Sequence, residues 1–390
     1  MSNRVRILHV VQNLHFGGME RIIAELARRS DAARFDTHVM ALQYLGHFAD
    51  GLDAFATLHL AAPMSRWSML YPSNLAGQIR AIAPDVLHTH SGVWYKAGLA
   101  AQIARVPFAI HTDHGRQNPD PWIYRRVDNI ASHRTDVVVA VSEALADQMR
   151  RIVYDPHRVR VIANGVDTVR YAPCPYDGSL HHELGLDPNT PLLGSVGRLE
   201  TIKGFDVMIA AFVRFLQRYR GPVRPRLILI GDGSQRAALE QSLTTEDAEV
   251  RNAVSFLGWR SDIERCLSAF SLFTMSSHSE GTSVGLLEAM SSGLCPVVTN
   301  VGGNAAVLGQ PLEHRLVAPA NPDALATAWI DALSDPERLA HDAQQSRQRV
   351  LDGFGLDAMV RQYEQIYELL YAQRHKRPYK RRRRVETAHA

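Results

Sequence analysis

Leu192-Leu193-Gly194-Ser195-Val196-Gly197-Arg198-Leu199-Glu200-Thr201-Ile202-Lys203-Gly204-Phe205 reads as a short buried strand, a turn with two cations, and the start of a helix running to Arg218. A strand that feeds a helix through a tight turn is the building unit of a parallel sheet covered on both faces. The unit repeats downstream, with strand candidates at Arg226–Ile230, Val254–Leu257, Leu272–Met275, Cys295–Thr299 and Arg315–Val317. Helical patterns at Phe205–Arg218, Gln235–Thr244, Ile263–Ala269 and Ser283–Ser291 separate several of them. It also recurs upstream, at Val5–Val11, His38–Leu42, Val86–Thr89, Phe108–His111, Val137–Val141 and Val159–Ala163, with helical patterns at 19–29, 74–82 and 143–151. Between the two series, Asp167 to Pro191 breaks the rhythm with Pro173, Pro175, Pro188 and the turn signal Asp177-Gly178.

The pattern predicts two consecutive α/β domains, 1–168 and 192–355, joined by a linker over 169–191. A last helix over 356–374 follows a Pro/Asp-rich segment and can pack on either domain. Residues 375–390 read as a basic, disordered tail. The chain has 390 residues, a 46% apolar and 21% charged composition and a net charge of +3. Residues 374–390 hold eight Lys/Arg and one Glu, so the rest of the chain, with 35 basic and 39 acidic residues, carries −4. The basic character belongs to the tail, a candidate contact for an anionic membrane surface. No run approaches the roughly 18 apolar residues of a spanning helix, and Val5–Val11 suits a first strand better than a signal-peptide core. Three scattered cysteines, Cys174, Cys266 and Cys295, form neither a disulfide framework nor a zinc motif, which fits a cytoplasmic protein.

Four segments carry candidate chemistry. In Ser279-Glu280-Gly281-Thr282-Ser283-Val284-Gly285-Leu286-Leu287-Glu288-Ala289-Met290, one carboxylate sits in a turn and the other about two turns into a helix. The N–H groups of Gly281, Thr282 and Ser283 then form a helix N-terminus suited to a diphosphate. Read singly, Glu280 is a helix-start acid and Glu288 a solvated helix residue. The apolar frame around Glu288 leaves it little exposed face. Arg198 and Lys203, beside Gly197, lie at the C-terminal end of a parallel strand, where open α/β sheets bind ligands. They are either solvated loop cations or a fixed charge for a departing diphosphate. Gly17-Gly18 allows close approach of backbone to a ligand, without the spacing of the dinucleotide fingerprint. His88, His90, His111 and His114 fall at strand ends of the first domain, with His114-Gly115 the better ligand contact and no metal-binding helix pattern beside them.

These segments, in this order, resemble the retaining glycosyltransferases of the GT-B fold, a family that includes glycogen synthase-like and phosphatidylinositol mannosyltransferase-like enzymes. The Glu280-x7-Glu288 motif is the most specific element. Gly17-Gly18 with Glu20, Asp85-x-x-His88-x-His90, Asn164-Gly-Val-Asp167, Gly197-Arg198, Lys203-Gly204, Gly231-Asp-Gly233 and Val301-Gly-Gly303 accompany it. The resemblance implies two Rossmann-like domains facing each other across a deep cleft, a nucleotide-diphosphate sugar as co-substrate, and no metal or other cofactor. It implies that Glu288 holds the ribose and Glu280 the donor sugar. Arg198, Lys203 and the backbone at Gly18 then hold the diphosphate, with His114 beside the transferred sugar and His90 and His111 on the acceptor side. His111-x-x-His114-Gly115 with Asn164-Gly-Val-Asp167 looks most like transferases of bacterial exopolysaccharide assembly, with a glycan or lipid-linked acceptor. Two other readings compete: a nucleotide-sugar epimerase on a similar scaffold, and a nucleic-acid binder through the tail. No nucleic-acid module is visible in the body.

Overall fold

The structure, a computed structural model, describes residues 4–15, 17–63, 69–116 and 121–374. Seven strands form the first sheet: β1 Val5–Asn13, β2 Phe35–Tyr44, β3 Thr57–Leu60, β4 Val86–His90, β5 Phe108–Asp113, β6 Val137–Ala140 and β7 Val159–Val161. Six form the second: β8 Leu192–Val196, β9 Arg226–Ile230, β10 Val254–Gly258, β11 Leu272–Met275, β12 Pro296–Thr299 and β13 Leu316–Val317. Their orders are β3-β2-β1-β4-β5-β6-β7 and β10-β9-β8-β11-β12-β13. All ladders between these strands are parallel. Every residue of β4, β11 and β12 is buried, as expected of strands covered on both faces. The order reverses direction at β1/β4 and again at β8/β11, giving each sheet a switch point at which a crevice opens.

The chain crosses between the domains twice, and this fixes the last helix. The Val166 N–H donates to the Phe354 carbonyl at 2.9 Å, and the Leu356 N–H donates to the Val166 carbonyl at 3.0 Å. Beyond this double crossing, helix Leu356–Arg374 returns to the first domain. Its Met359, Val360, Tyr363, Tyr367 and Leu370 pack with Val5, Ile7, Ile22, Leu26, Val86 and Phe108. The segment read as a linker is not a loose spacer. Tyr171 and Leu180 are buried in the core of the second domain with Leu192, Ile228 and Phe270, so the segment belongs to that domain.

Several elements go beyond the sequence reading. Edge strand β3 pairs with β2, although it is only half-buried. Helices Trp94–Ala104, Trp122–Ser132, Pro322–Ser334 and Pro336–Gly353 complete the layers. Among the described residues no helix is long and apolar enough to cross a membrane. The tail over 375–390, on which the expected membrane contact falls, lies outside the described residues.

Candidate active site

A cavity of about 400 Å³ opens between the two domains. Its walls are loops that leave the C-terminal ends of strands. Gly17 to Arg21 follow β1, His114 to Arg116 follow β5, Gly197 to Lys203 follow β8, and Ser279 to Gly285 follow β11. Both switch points therefore open onto one cleft. It gathers Arg198, Lys203, Glu280 and His114, together with Gly17, Gly18, Gly197, Gly281, Thr282, Ser283 and Glu288.

The turn before helix Val284–Ser291 is held rigidly. The Ser283 hydroxyl caps the helix by accepting from the Leu286 N–H, and the Thr282 hydroxyl donates to the Val141 carbonyl of the first domain. Asn164 Nδ2 donates to the Thr282 carbonyl at 2.7 Å. With both hydroxyls engaged, these residues offer a ligand their backbone N–H groups. The Gly303 N–H donates to the Gly281 carbonyl at 2.9 Å, so the Val301-Gly-Gly303 turn supports the same loop. Gly281 sits where the domains touch: a Cβ there would lie 2.5 Å from the His114 carbonyl oxygen and 2.7 Å from Val141 Cγ2. Gly281→Ala should therefore wedge the domains apart, at about 1–3 kcal/mol of overpacking. We expect donor-nucleotide affinity to fall roughly tenfold in calorimetric titration, and the melting temperature of the free protein to fall by a few degrees. Unchanged affinity would mean that this contact does not limit closure.

The charged groups are arranged in pairs. Lys203 Nζ lies 2.6 Å from Glu280 Oε1, which also accepts from the Ser277 hydroxyl at 2.7 Å. Glu288 is 3% exposed, so it is no solvated helix residue. It forms an ion pair with Arg21 of the first domain, and Arg21 also donates to the Tyr171 hydroxyl. Burial pushes the Glu288 carboxyl up from its ordinary range, opposed by Arg21 and Tyr171. Glu20 is also buried and pushed up by desolvation, opposed by its own backbone N–H and by the charge of Arg198. The Glu20 carboxylate folds over Gly17, where φ is +150° and a Cβ would collide with it. Gly17 thus accommodates Glu20. Arg198 is exposed on the cleft wall and forms no ion pair among the described residues.

Two family models match the chain. "Glycosyltransferase Family 4" covers residues 16–170 and "Glycosyl transferases group 1" covers residues 190–335, together well over half of the sequence. The chain is a GT-B glycosyltransferase. It is 24% identical over 379 residues to the UDP-Gal:alpha-D-GlcNAc-diphosphoundecaprenol alpha-1,3-galactosyltransferase of Escherichia coli, covering 94% of this chain and 97% of that one. It is 28% identical over 366 residues to the alpha-maltose-1-phosphate synthase of Mycobacterium tuberculosis, covering 86% and 91%. In structure it is similar to Anabaena Alr3699/HepE in complex with UDP and glucose, with a TM-score of 0.81, 22% identity, and coverage of 94% of this chain and 100% of that one. These matches favour neither the epimerase nor the nucleic-acid reading.

Two predicted positions in this glycosyltransferase are corrected. His90 and His111 do not reach the cleft and cannot touch an acceptor there. His90 is 1% and His111 0% exposed, because both lie on inner strands of a fully covered sheet. His111 stacks on Trp94 with ring centroids 3.9 Å apart, and its Nδ1 bonds to the Thr89 hydroxyl at 3.0 Å. His88 is satisfied by side chains: its two ring nitrogens bond to the Tyr367 and Thr112 hydroxyls, each at 2.8 Å. Burial drives all of these rings well below the ordinary histidine range. His9, His88 and His90 bring ring nitrogens within 4.8 Å of one another. This spacing could hold a metal, but hydrogen bonds already occupy both nitrogens of His88 and His90. The sequence reading did not single out Arg21 and Tyr171, which are linked to Glu288 through Arg21, or Trp259, which lines the cavity. Arg21 directly follows Glu20 of the glycine motif, which was the available signal.

Proposed function

We propose that this glycosyltransferase moves a hexosyl group from a uridine-diphosphate sugar to a glycan or lipid-linked acceptor in cell-surface polysaccharide assembly, with retention and without a metal. The observation that carries the reading is the convergence of Arg198, Lys203, the backbone N–H groups of residues 281–283, Glu280 and Glu288 on one interdomain cleft. Two cations and a helix N-terminus suit a diphosphate. Glu288 would accept from ribose hydroxyls and Glu280 from the sugar. The bond between the anomeric carbon and the diphosphate oxygen breaks, and the acceptor oxygen bonds to the carbon on the same face. The acceptor proton passes to the departing diphosphate oxygen, so no enzyme nucleophile is required. The E. coli relative's UDP-Gal donor and diphosphoundecaprenol-linked acceptor, and the UDP and glucose bound by the Anabaena protein, support the donor and acceptor classes.

A thermal-shift panel of UDP, GDP, ADP and NAD, run with and without EDTA, tests this. A ligand at 100 times its Kd stabilises the fold by about 2.7 kcal/mol. UDP should raise the melting temperature of the wild type regardless of EDTA, and of Glu288→Ala much less, each measured from its own baseline. Stabilisation by NAD alone would overturn the donor assignment, and dependence on a divalent ion would overturn metal independence.

A further inference from the structure

His9 on β1, His90 at the end of β4 and His114 just after β5 come from three neighbouring strands. Their rings form one hydrogen-bonded chain. His9 Nδ1 lies 3.1 Å from His90 Nε2, and His90 Nδ1 lies 3.1 Å from His114 Nε2. The chain runs from the core to the cleft wall, where His114 ends it. The other nitrogen of His114, Nδ1, is buried and has no partner among the described residues. Burial holds His114 down at about 3 and His9 at about 4, and puts His90 well below its usual range. Each ring is therefore neutral at physiological pH and carries one proton.

That proton count leaves two arrangements. Each of the two bonds needs one proton, and His90 can supply only one of them. Either His9 donates to His90 and His90 to His114, which places a proton on Nδ1 of all three rings, or His114 donates to His90 and His90 to His9, which places it on Nε2 of all three. In the first arrangement the unpartnered His114 Nδ1 is a donor; in the second it is an acceptor. Reversing it means moving the proton of every ring in the chain. We propose that His9 and His90 are positioning residues that lock the tautomer of His114 and so fix, from inside the core, whether it donates to or accepts from a sugar hydroxyl. The sugar as its ligand rests on the function proposed above, but the lock itself does not.

Long-range proton–nitrogen NMR of the full chain labelled with ¹⁵N-histidine, without any ligand, tests it independently of the donor. Single His9→Gln, His90→Gln and His114→Gln variants assign the three rings. The expected result is that all three show the same neutral tautomer, either all protonated at Nδ1 or all at Nε2. A mixed set, or a His114 ring that averages between tautomers, would overturn the proposal. His9→Phe removes the far end of the chain without touching His114. It should move the His114 nitrogen shifts toward the averaged values, whereas His9→Gln, which keeps a polar partner, should restore a single tautomer. Unchanged His114 shifts in a folded His9→Phe protein would also overturn it. If His9→Phe does not fold, the wild-type tautomer pattern still decides.

Discussion

Arg198→Ala should lower kcat by roughly 10²–10³-fold, as expected when one group stabilising a developing charge is removed, with little change in donor KM. The argument rests on when the charge appears. A bound donor already carries a diphosphate, but its bridging oxygen gathers further charge as the glycosidic bond breaks. Arg198 is an exposed cleft-wall cation without an ion-pair partner among the described residues, so it is free to meet that charge. Lys203→Ala should cost a similar factor in kcat and raise KM as well. Lys203 Nζ is 2.6 Å from Glu280, and removing it leaves the carboxylate assigned to the sugar held only by Ser277. Steady-state kinetics on both variants separate the two effects. Arg198→Lys should recover only part of the loss, because a point charge does not replace a planar fork of donors. Wild-type turnover in both alanine variants would remove the leaving-group role.

The parts of this enzyme that were legible in the sequence follow local rules. The alternation of buried strands and amphipathic helices predicts two parallel-sheet domains, and the loops after β1, β5, β8 and β11 fall at strand ends because a parallel sheet allows no other place for them. What escaped depends on context outside the segment. Asn321-Pro322 and Asp335-Pro336 lie in the stretch read only as a Pro/Asp-rich segment, yet each is a helix start. Asn321 accepts from the Ala324 N–H and Asp335 from the Arg338 N–H, with proline in the first turn. Trp94–Ala104 is apolar on most sides and shows little helical period, as suits a helix packed between two others. The histidines misled for a related reason. A strand end in sequence points to the cleft only if its side chain clears the sheet, and the burial of His90 is set by His9 on β1 and His114 just after β5, and that of His111 by Trp94 on the preceding helix, none of them adjacent in the chain. Arg21, closing the first turn of its helix, looks like a surface residue until Glu288 arrives from 267 positions away.

That pairing carries the second large effect. Arg21→Ala should destabilise the protein by about 3–5 kcal/mol, the range for removing one partner of a buried ion pair. The pair joins helix Gly18–Arg29 of the first domain to helix Val284–Ser291 of the second, and Glu288 has no other basic partner within ion-pair distance among the described residues. The loss should depend on pH in a definite direction. Burial already raises the Glu288 carboxyl above its ordinary range, and without Arg21 it rises further above its value in the unfolded chain. A group raised on folding contributes stability that is present below its unfolded pKa and lost as pH rises through the folded one. Arg21→Ala should therefore lie closest to wild type at acidic pH and fall away toward pH 8, in urea denaturation followed across that range. Glu288→Gln in the same background removes the stranded charge and should recover most of the stability, while UDP binding stays impaired because the ribose loses its carboxylate. A double variant as unstable as Arg21→Ala would place the cost in lost packing of the arginine stem, and not in the buried charge.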